Sequence, residues 1–157
     1  MADSAFSTAR SFLHYSCDNG RFDEAVMAGC DVREVTEGRC VVAVPVTKRR
    51  TNRYSTLHGG CIAALVDIVS TAALLAGSKS RASGVTLDLN ISYATAAKLG
   101  ETVLVEAETL KVGRSTALLS VTIREEKSGA LIATGRHTKF LLGLGGTEVE
   151  TLLVSRL

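Results

Sequence analysis

From residue 4 to residue 17, Phe6, Ala9, Phe12 and Leu13 recur at helical spacing and stop before Asp18-Asn19-Gly20. This predicts a short N-terminal helix closed by a turn. Two strands are expected next, near 28–35 and 40–47, joined by the turn residues Thr36-Glu37-Gly38. Lys48 to Arg53 reads as a polar loop. The segment from Leu57 to Ala76 changes character. Ile62, Leu65, Val69 and Ala72 make one large apolar stripe at helical spacing. Gly60, Ala63, Ala64, Asp67, Ser70 and Thr71 make a second face that is small and polar, and Gly77 marks the stop. A helix with no charged outer face must be buried on most sides. Something has to wrap around it.

The rest of the chain supplies the wrapper. Val85, Leu87, Leu89, Ile91 and Tyr93 alternate with Thr86, Asp88, Asn90 and Ser92, a clean period of two. Thr102 to Lys111 alternates through Val103, Val105 and Ala107 against Glu106 and Glu108. Gly113-Arg114 predicts a two-residue type II′ turn, with Gly at its first position. Ala117, Leu119, Val121 and Ile123 alternate with Thr116, Leu118, Ser120 and Thr122, and Lys127-Ser128-Gly129 turns the chain into a last strand, Ala130 to Leu142. Four consecutive strands with short turns predict an antiparallel meander. One buried helix with a long antiparallel sheet gives an α+β domain. Periodicity is lost at Gly143-Leu144-Gly145-Gly146, so 1–142 is read as one domain and 143–157 as a tail.

Composition narrows the function. A chain of 157 residues is one domain by default. Its net charge of +2 and its lack of Trp speak against a nucleic-acid partner, which would need a basic face or stacking aromatics. Cys17, Cys30, Cys40 and Cys61 form no C-x-x-C pair, and no His stands at ligand spacing from them, so no metal site is expected. With no secretory signal in view, they read as buried free thiols. The apolar run from Cys61 to Ala76 is broken by Asp67 and short for a bilayer, so no membrane span is expected.

The residues with chemical potential lie between Asn52 and Asp67. His58-Gly59-Gly60 stands where the buried helix begins. Backbone N–H groups there are free, and the helix dipole favours negative charge. Two glycines let a substrate approach the backbone, which makes an oxyanion site for a carbonyl under attack. Asp67 lies about two turns further on. A carboxylate on an apolar helix is costly unless it is paired or used, and surroundings of low polarity make it a better base. Each residue also has a plain structural role open to it. His58 can be a helix-start residue bonded to a neighbour, Gly59-Gly60 a packing requirement, Asp67 a satisfied carboxylate or subunit contact, and Asn52 a turn residue. Lys98, Lys111, Arg114, Arg136, His137 and Lys139 read as solvated surface placed near strand ends.

Asn52, the run Thr56-Leu57-His58-Gly59-Gly60 and Val66-Asp67 together resemble the hotdog-fold acyl-CoA thioesterases of the phenylacetate-pathway (PaaI-like) type. The segments Gly84–Tyr93, Ala97–Glu101 and Thr134–Lys139 resemble the animal branch of that family. The likeness covers about residues 4–142, and the ordered set is far more specific than H-G-G alone. It implies a sheet wrapped round the central helix, two subunits joined edge to edge, dimers paired into a homotetramer, and an active site at a subunit interface. By that resemblance the Gly59 amide polarises the thioester carbonyl, and Asp67 activates water or attacks as nucleophile. Asn52 and His58 sit on the leaving-thiolate side, and Thr86 orients the water where the family has Ser. Coenzyme A would lie against Tyr93, Ala94, Thr95, Ala96, Ala97 and Lys98, and against Lys111, Val112, Gly113, Arg114, Ser115 and Thr116, with Phe140 nearby. Ala96 stands where the family has Pro, and Phe140 where it has a polar residue.

The expected function is hydrolysis of a fatty or aromatic acyl-CoA to free acid and coenzyme A, with no cofactor and no metal. A hotdog hydratase or dehydratase and a non-catalytic acyl-CoA binding protein are the alternatives. A triad hydrolase is set aside because no G-x-S-x-G occurs. The last three residues, Ser155-Arg156-Leu157, resemble the C-terminal S-K-L peroxisomal address. A peroxisome or glycosome, reached through an import receptor, is therefore the expected location, with the cytoplasm next.

Overall fold

The structure is a computed structural model and describes residues 2–77 and 83–141. Its helices are α1 (Ala2–Cys17), α2 (Phe22–Met27) and α3 (Gly59–Gly77). Its strands are β1 (Asp31–Thr36), β2 (Arg39–Pro45), β3 (Val85–Tyr93), β4 (Thr102–Val112), β5 (Thr116–Glu125) and β6 (Leu131–Phe140). The strands form one antiparallel sheet in the order β1-β2-β4-β5-β6-β3. The sheet curls round α3, whose Ile62, Leu65, Val66, Val69 and Ala72 share one core with Val44, Val103, Val105, Val121 and Ile123. Ala9 and Leu13 of α1 close the side of α3 that the sheet leaves open. This is the expected α+β hotdog arrangement. The small α2 was not foreseen, because its six residues are too few to show a period.

By length and composition α3 could cross a bilayer, since it has 19 residues of high hydropathy. The argument from shortness therefore fails. Here the helix is the core of the domain, with 67% of its apolar window buried by protein.

The expected four-stranded meander is only three strands long. β4, β5 and β6 follow one another, but β3 pairs with β6 and takes the free edge of the sheet. Residues 94–101 are not a hairpin turn. They are pinned across the loop before α3 by Leu57 N–H to Ala97 O (2.8 Å), Leu99 N–H to Ser55 O (2.9 Å) and Gly100 N–H to Val46 O (2.9 Å). Short separation in sequence was misread as pairing.

Within β3 the strict period of two also breaks. A bulge between Thr86 and Asp88 shifts the register by one residue. Thr86 pairs with Lys139, Leu89 with His137, Ile91 with Gly135 and Tyr93 with Ala133, all on the inner side. Strict alternation would have turned Thr86 outward. Val85 and Leu87 are left exposed as well, Leu87 by 59%. The turn after β4 differs too. Gly113 N–H bonds Thr116 O at 2.8 Å, and Gly113 does not take the positive φ of a type II′ turn. The bend is carried by Arg114-Ser115.

Two glycines mark where α3 presses on its neighbours. A Cβ on Gly135 would lie 2.7 Å from Val66 Cγ1, and one on Gly77 would lie 2.7 Å from the Gly38 backbone. The contact of Gly135 with Val66 brings helix and strand together one turn before the functional cluster described below.

Arg50, expected in a polar loop, sits in a 3-10 turn (Lys48–Arg50) and is only 3% exposed. Its guanidinium donates to the carbonyls of Val26 (2.7 Å), Ala28 (2.5 Å) and Pro45 (2.7 Å). Its own carbonyl accepts the His58 N–H at 2.8 Å. One side chain thus ties the end of α2 to β2 and to the residue that starts α3. Arg50→Met would take the guanidinium donor from one buried and two partly buried carbonyls. We expect it to cost about 3 kcal/mol or more, at ~1–3 kcal/mol for each unsatisfied buried group. Urea unfolding monitored by circular dichroism measures this.

Candidate active site

The first part of the site is the beginning of α3. His58 caps the helix: its Nδ1 accepts the Gly60 N–H at 2.8 Å and its carbonyl accepts the Ile62 N–H at 3.0 Å. The ring is exposed, so capping accounts for its position. Among the described residues nothing accepts the Gly59 N–H, so that amide is available at the positive end of the helix. Tyr93 roofs it. Its hydroxyl donates to Gly59 O at 3.2 Å, and a Cβ on Gly59 would lie 3.4 Å from its ring. Asn52 lies in the preceding loop, where its Oδ1 accepts the Tyr54 N–H (2.9 Å) and its Nδ2 donates to Thr56 Oγ1 (2.9 Å). In one chain it acts as the turn residue.

The second part is Asp67, two turns along the helix. Its surroundings are more polar than an otherwise apolar helix implies. The side chain is 44% exposed, and three polar groups approach a single oxygen. Thr86 Oγ1 lies 3.4 Å from Oδ1, His137 Nε2 lies 3.6 Å from it, and Lys139 Nζ lies 3.7 Å from it. Among the described residues Oδ2 has no hydrogen-bond partner, so it is the oxygen free to face a substrate. Behind the carboxylate, Ser70 Oγ meets His137 Nδ1 at 2.7 Å and Lys139 Nζ donates to Thr71 Oγ1 at 2.9 Å.

His137 and Lys139 are buried, which corrects their reading as solvated surface. The alternation of β6 carried the signal. Ala133, Gly135, His137 and Lys139 share one face, and the first two are too small to be anything but a face pressed on the helix. Ser70, Thr71, His137 and Lys139 are the functional neighbours that sequence reasoning missed. Burial, then the Lys139 charge, pushes His137 down to about 4 against the opposing pull of Asp67 and Asp88, so the ring is neutral at neutral pH. Burial also lowers Lys139, with Asp67 opposing the shift.

The expected coenzyme A contacts divide into two groups at opposite ends of the sheet. Tyr93, Ala94, Thr95, Ala96 and Lys98 are exposed near Gly59, while Ala97 is buried in the core and offers no side chain. Lys111, Val112, Arg114, Ser115 and Thr116 are exposed at the other end, with Gly113 half-buried, and Phe140 pairs there with Thr116 and Val85. Thr86 and Tyr93 are roughly 20 Å apart along β3, and Gly59 and Asp67 are about 12 Å apart along α3. One carbonyl carbon cannot touch both the Gly59 amide and the Asp67 carboxylate of the same chain. Among the described residues no cluster of three or more His, Cys, Asp or Glu comes together to hold a metal ion. The four cysteines are free thiols, and only Cys40 is fully buried.

Comparison with known proteins identifies the family and the fold. The family described as Thioesterase superfamily matches residues 54–132, the stretch from the loop before α3 into β6. Acyl-coenzyme A thioesterase 13 of Homo sapiens is 42% identical over 118 residues, covering 75% of this chain and 84% of the relative. The crystal structure of zebra fish thioesterase superfamily member 2 superposes with a TM-score of 0.82 at 40% identity, over 87% of this chain and 98% of that one. A hypothetical thioesterase from Streptococcus pneumoniae TIGR4, solved with coenzyme A, gives a TM-score of 0.73 at 25% identity, over 85% of this chain and 96% of that one.

Proposed function

We propose, since the chain belongs to the thioesterase superfamily, that it hydrolyses an acyl-coenzyme A to the free acid and coenzyme A. The observation that carries this is Asp67, with three polar groups gathered within 3.7 Å of Oδ1 and Oδ2 left to act. The Gly59 N–H donates to the thioester oxygen, on which charge builds as the carbonyl is attacked. Oδ2 takes a proton from water while the water oxygen bonds to the carbonyl carbon. The C–S bond then breaks, the thiolate leaves toward Asn52 and His58, and the proton taken up by Asp67 is given back through solvent to the thiolate. Water is the only other reactant, so no cofactor or metal is required.

Two chains complete the site. β3 is a free edge carrying the exposed Val85, Leu87 and Tyr93, which are suited to pairing with a second copy. Antiparallel pairing of two β3 strands about their middle sets Tyr93 and Gly59 of one protomer beside Thr86 and Asp67 of its partner. The same operation brings the 93–98 segment of one to the 111–116 segment and Phe140 of the other. The two halves of the coenzyme A contact set then converge, with Lys98, Lys111 and Arg114 as cations for its phosphates. A homotetramer made of two such pairs is the proposed assembly.

The test is thiol release from a panel of acyl-coenzyme A esters spanning short, long and aromatic acyl groups. Turnover of at least one class is expected. Silence across the panel from folded, dimeric protein would overturn the reading.

The tail reading belongs to residues outside those described. We propose Ser155-Arg156-Leu157 as an organelle address for a peroxisomal or glycosomal import receptor. Imaging the full chain beside one lacking Leu157, in the native cells, checks it. The full chain should be punctate and the shortened one diffuse, and identical cytosolic distributions would exclude the address.

A further inference from the structure

We propose that His137 and Ser70 are positioning residues for this hydrolysis, setting the direction of the Thr86 hydroxyl so that Thr86 and Asp67 face the attacking water as two acceptors. The inference rests on the hydrolytic reading above and adds to it how the water is held.

A chain of short contacts fixes where each proton lies. Ser70 Oγ lies 2.6 Å from the Val66 carbonyl oxygen. Two oxygens that close repel unless a proton lies between them, and the carbonyl has none to give. The single Ser70 proton is therefore committed to Val66 O. Ser70 Oγ also lies 2.7 Å from His137 Nδ1. With its own proton spent, Ser70 can only accept there, so His137 carries its proton on Nδ1. A neutral imidazole has one N–H, and Nε2 is left as an acceptor. Thr86 Oγ1 lies 2.9 Å from that nitrogen, so the hydroxyl donates to it.

Thr86 then has no proton for Asp67. Its oxygen lies 3.4 Å from Asp67 Oδ1 as a second acceptor beside the carboxylate, and lone pairs of Thr86 Oγ1 and of the free Asp67 Oδ2 turn toward the space in front. A water molecule satisfies both by donating one hydrogen to each, which aims its lone pair at the carbonyl. A nucleophile with a single hydroxyl proton satisfies only one. The chain of bonds starts in the helix backbone and ends at the reacting water. Gly135 helps set its spacing, because its contact with Val66 brings the strand within reach of Ser70 one turn later.

The opposite polarity makes a different molecule. Were Nε2 protonated, Thr86 would accept from His137 and donate to Asp67, and the carboxylate would lose a lone pair to an internal bond. Long-range proton–nitrogen NMR on the resting, histidine-labelled protein separates the two cases. The His137 signals are assigned by their loss in His137→Gln. The proposal expects the proton on Nδ1 and an unprotonated Nε2 at neutral pH. A protonated Nε2, as the other tautomer or as imidazolium, overturns it.

Kinetics supply the second readout. Ser70→Ala removes the anchor, and kcat should fall about 10-fold with KM unchanged, because the lost interaction serves the transition state and not coenzyme A binding. A folded Ser70→Ala protein with unaltered kcat overturns the proposal. Should that variant fail to fold, the wild-type tautomer still decides. The two readings fail separately. A protein with Nε2–H that releases thiol sinks the relay and spares hydrolysis. One with Nδ1–H that releases no thiol from any ester sinks the hydrolytic reading.

Discussion

Asp67→Asn is expected to lower kcat by about 10²–10⁴-fold, the usual loss when a single general base is removed. Folding and coenzyme A binding should change little. Asn has nearly the shape of Asp, so no cavity opens beneath it. Its amide N–H can donate to the Thr86 oxygen, and the half-exposed position tolerates it. What disappears is the oxygen that accepts a proton. Lys139 loses its nearby anion, but its bond to Thr71 remains. The coenzyme A phosphates lie away from the Asp67 carboxylate in the proposed dimer, so KM should hold. Thiol release, thermal unfolding and coenzyme A titration on the same preparation separate these effects. Normal turnover by well-folded Asp67→Asn would remove the base from the mechanism.

The α3 helix and its burial were legible because 19 residues with no charged face leave no other solution. The β4–β6 alternation was equally plain. What the sequence hid lies in one local shift of register and in contacts between elements far apart along the chain. The bulge at Leu87 moves Thr86 to the inner side, and nothing in the alternating pattern announces it. The Arg-His-Thr-Lys run looked solvated because His and Lys are usually outside. Alternation puts them on the face of Ala133 and Gly135, but their pairing with Ser70 and Thr71 on the polar side of α3 is a long-range contact that periodicity does not encode. Arg50 was misplaced for the same reason. Its acceptors are carbonyls from α2 and β2, invisible in a string of side chains. The position of β3 also needed the sheet order, since a segment of eight residues can turn back or cross over.

The separation of Gly59 from Asp67 leads to a second large effect. If each site takes Gly59 from one protomer and Asp67 from its partner, two inactive variants should rescue each other. Gly59→Val places a branched side chain against the Tyr93 ring, where even a Cβ is already at 3.4 Å, and fills the space in front of the amide. It should be nearly inactive, as should Asp67→Asn. In a mixed dimer one site collects both substitutions and the other collects neither. Random pairing makes half of all dimers mixed, each with one intact site of two, so coexpression should restore about a quarter of wild-type activity to the pool. A dimer purified through two different tags should reach about half. A site built within one chain gives the opposite result: every site then carries one lesion, and the mixture stays as inactive as its parents. The contrast is large against the background of either variant alone, and it needs no knowledge of the preferred acyl group beyond one working substrate. Size-exclusion chromatography of the Gly59→Val and Asp67→Asn proteins guards the comparison, because rescue is interpretable only if both parents dimerise. Failure to rescue between two dimerising parents would place both groups in one chain, against a spacing of about 12 Å along the helix.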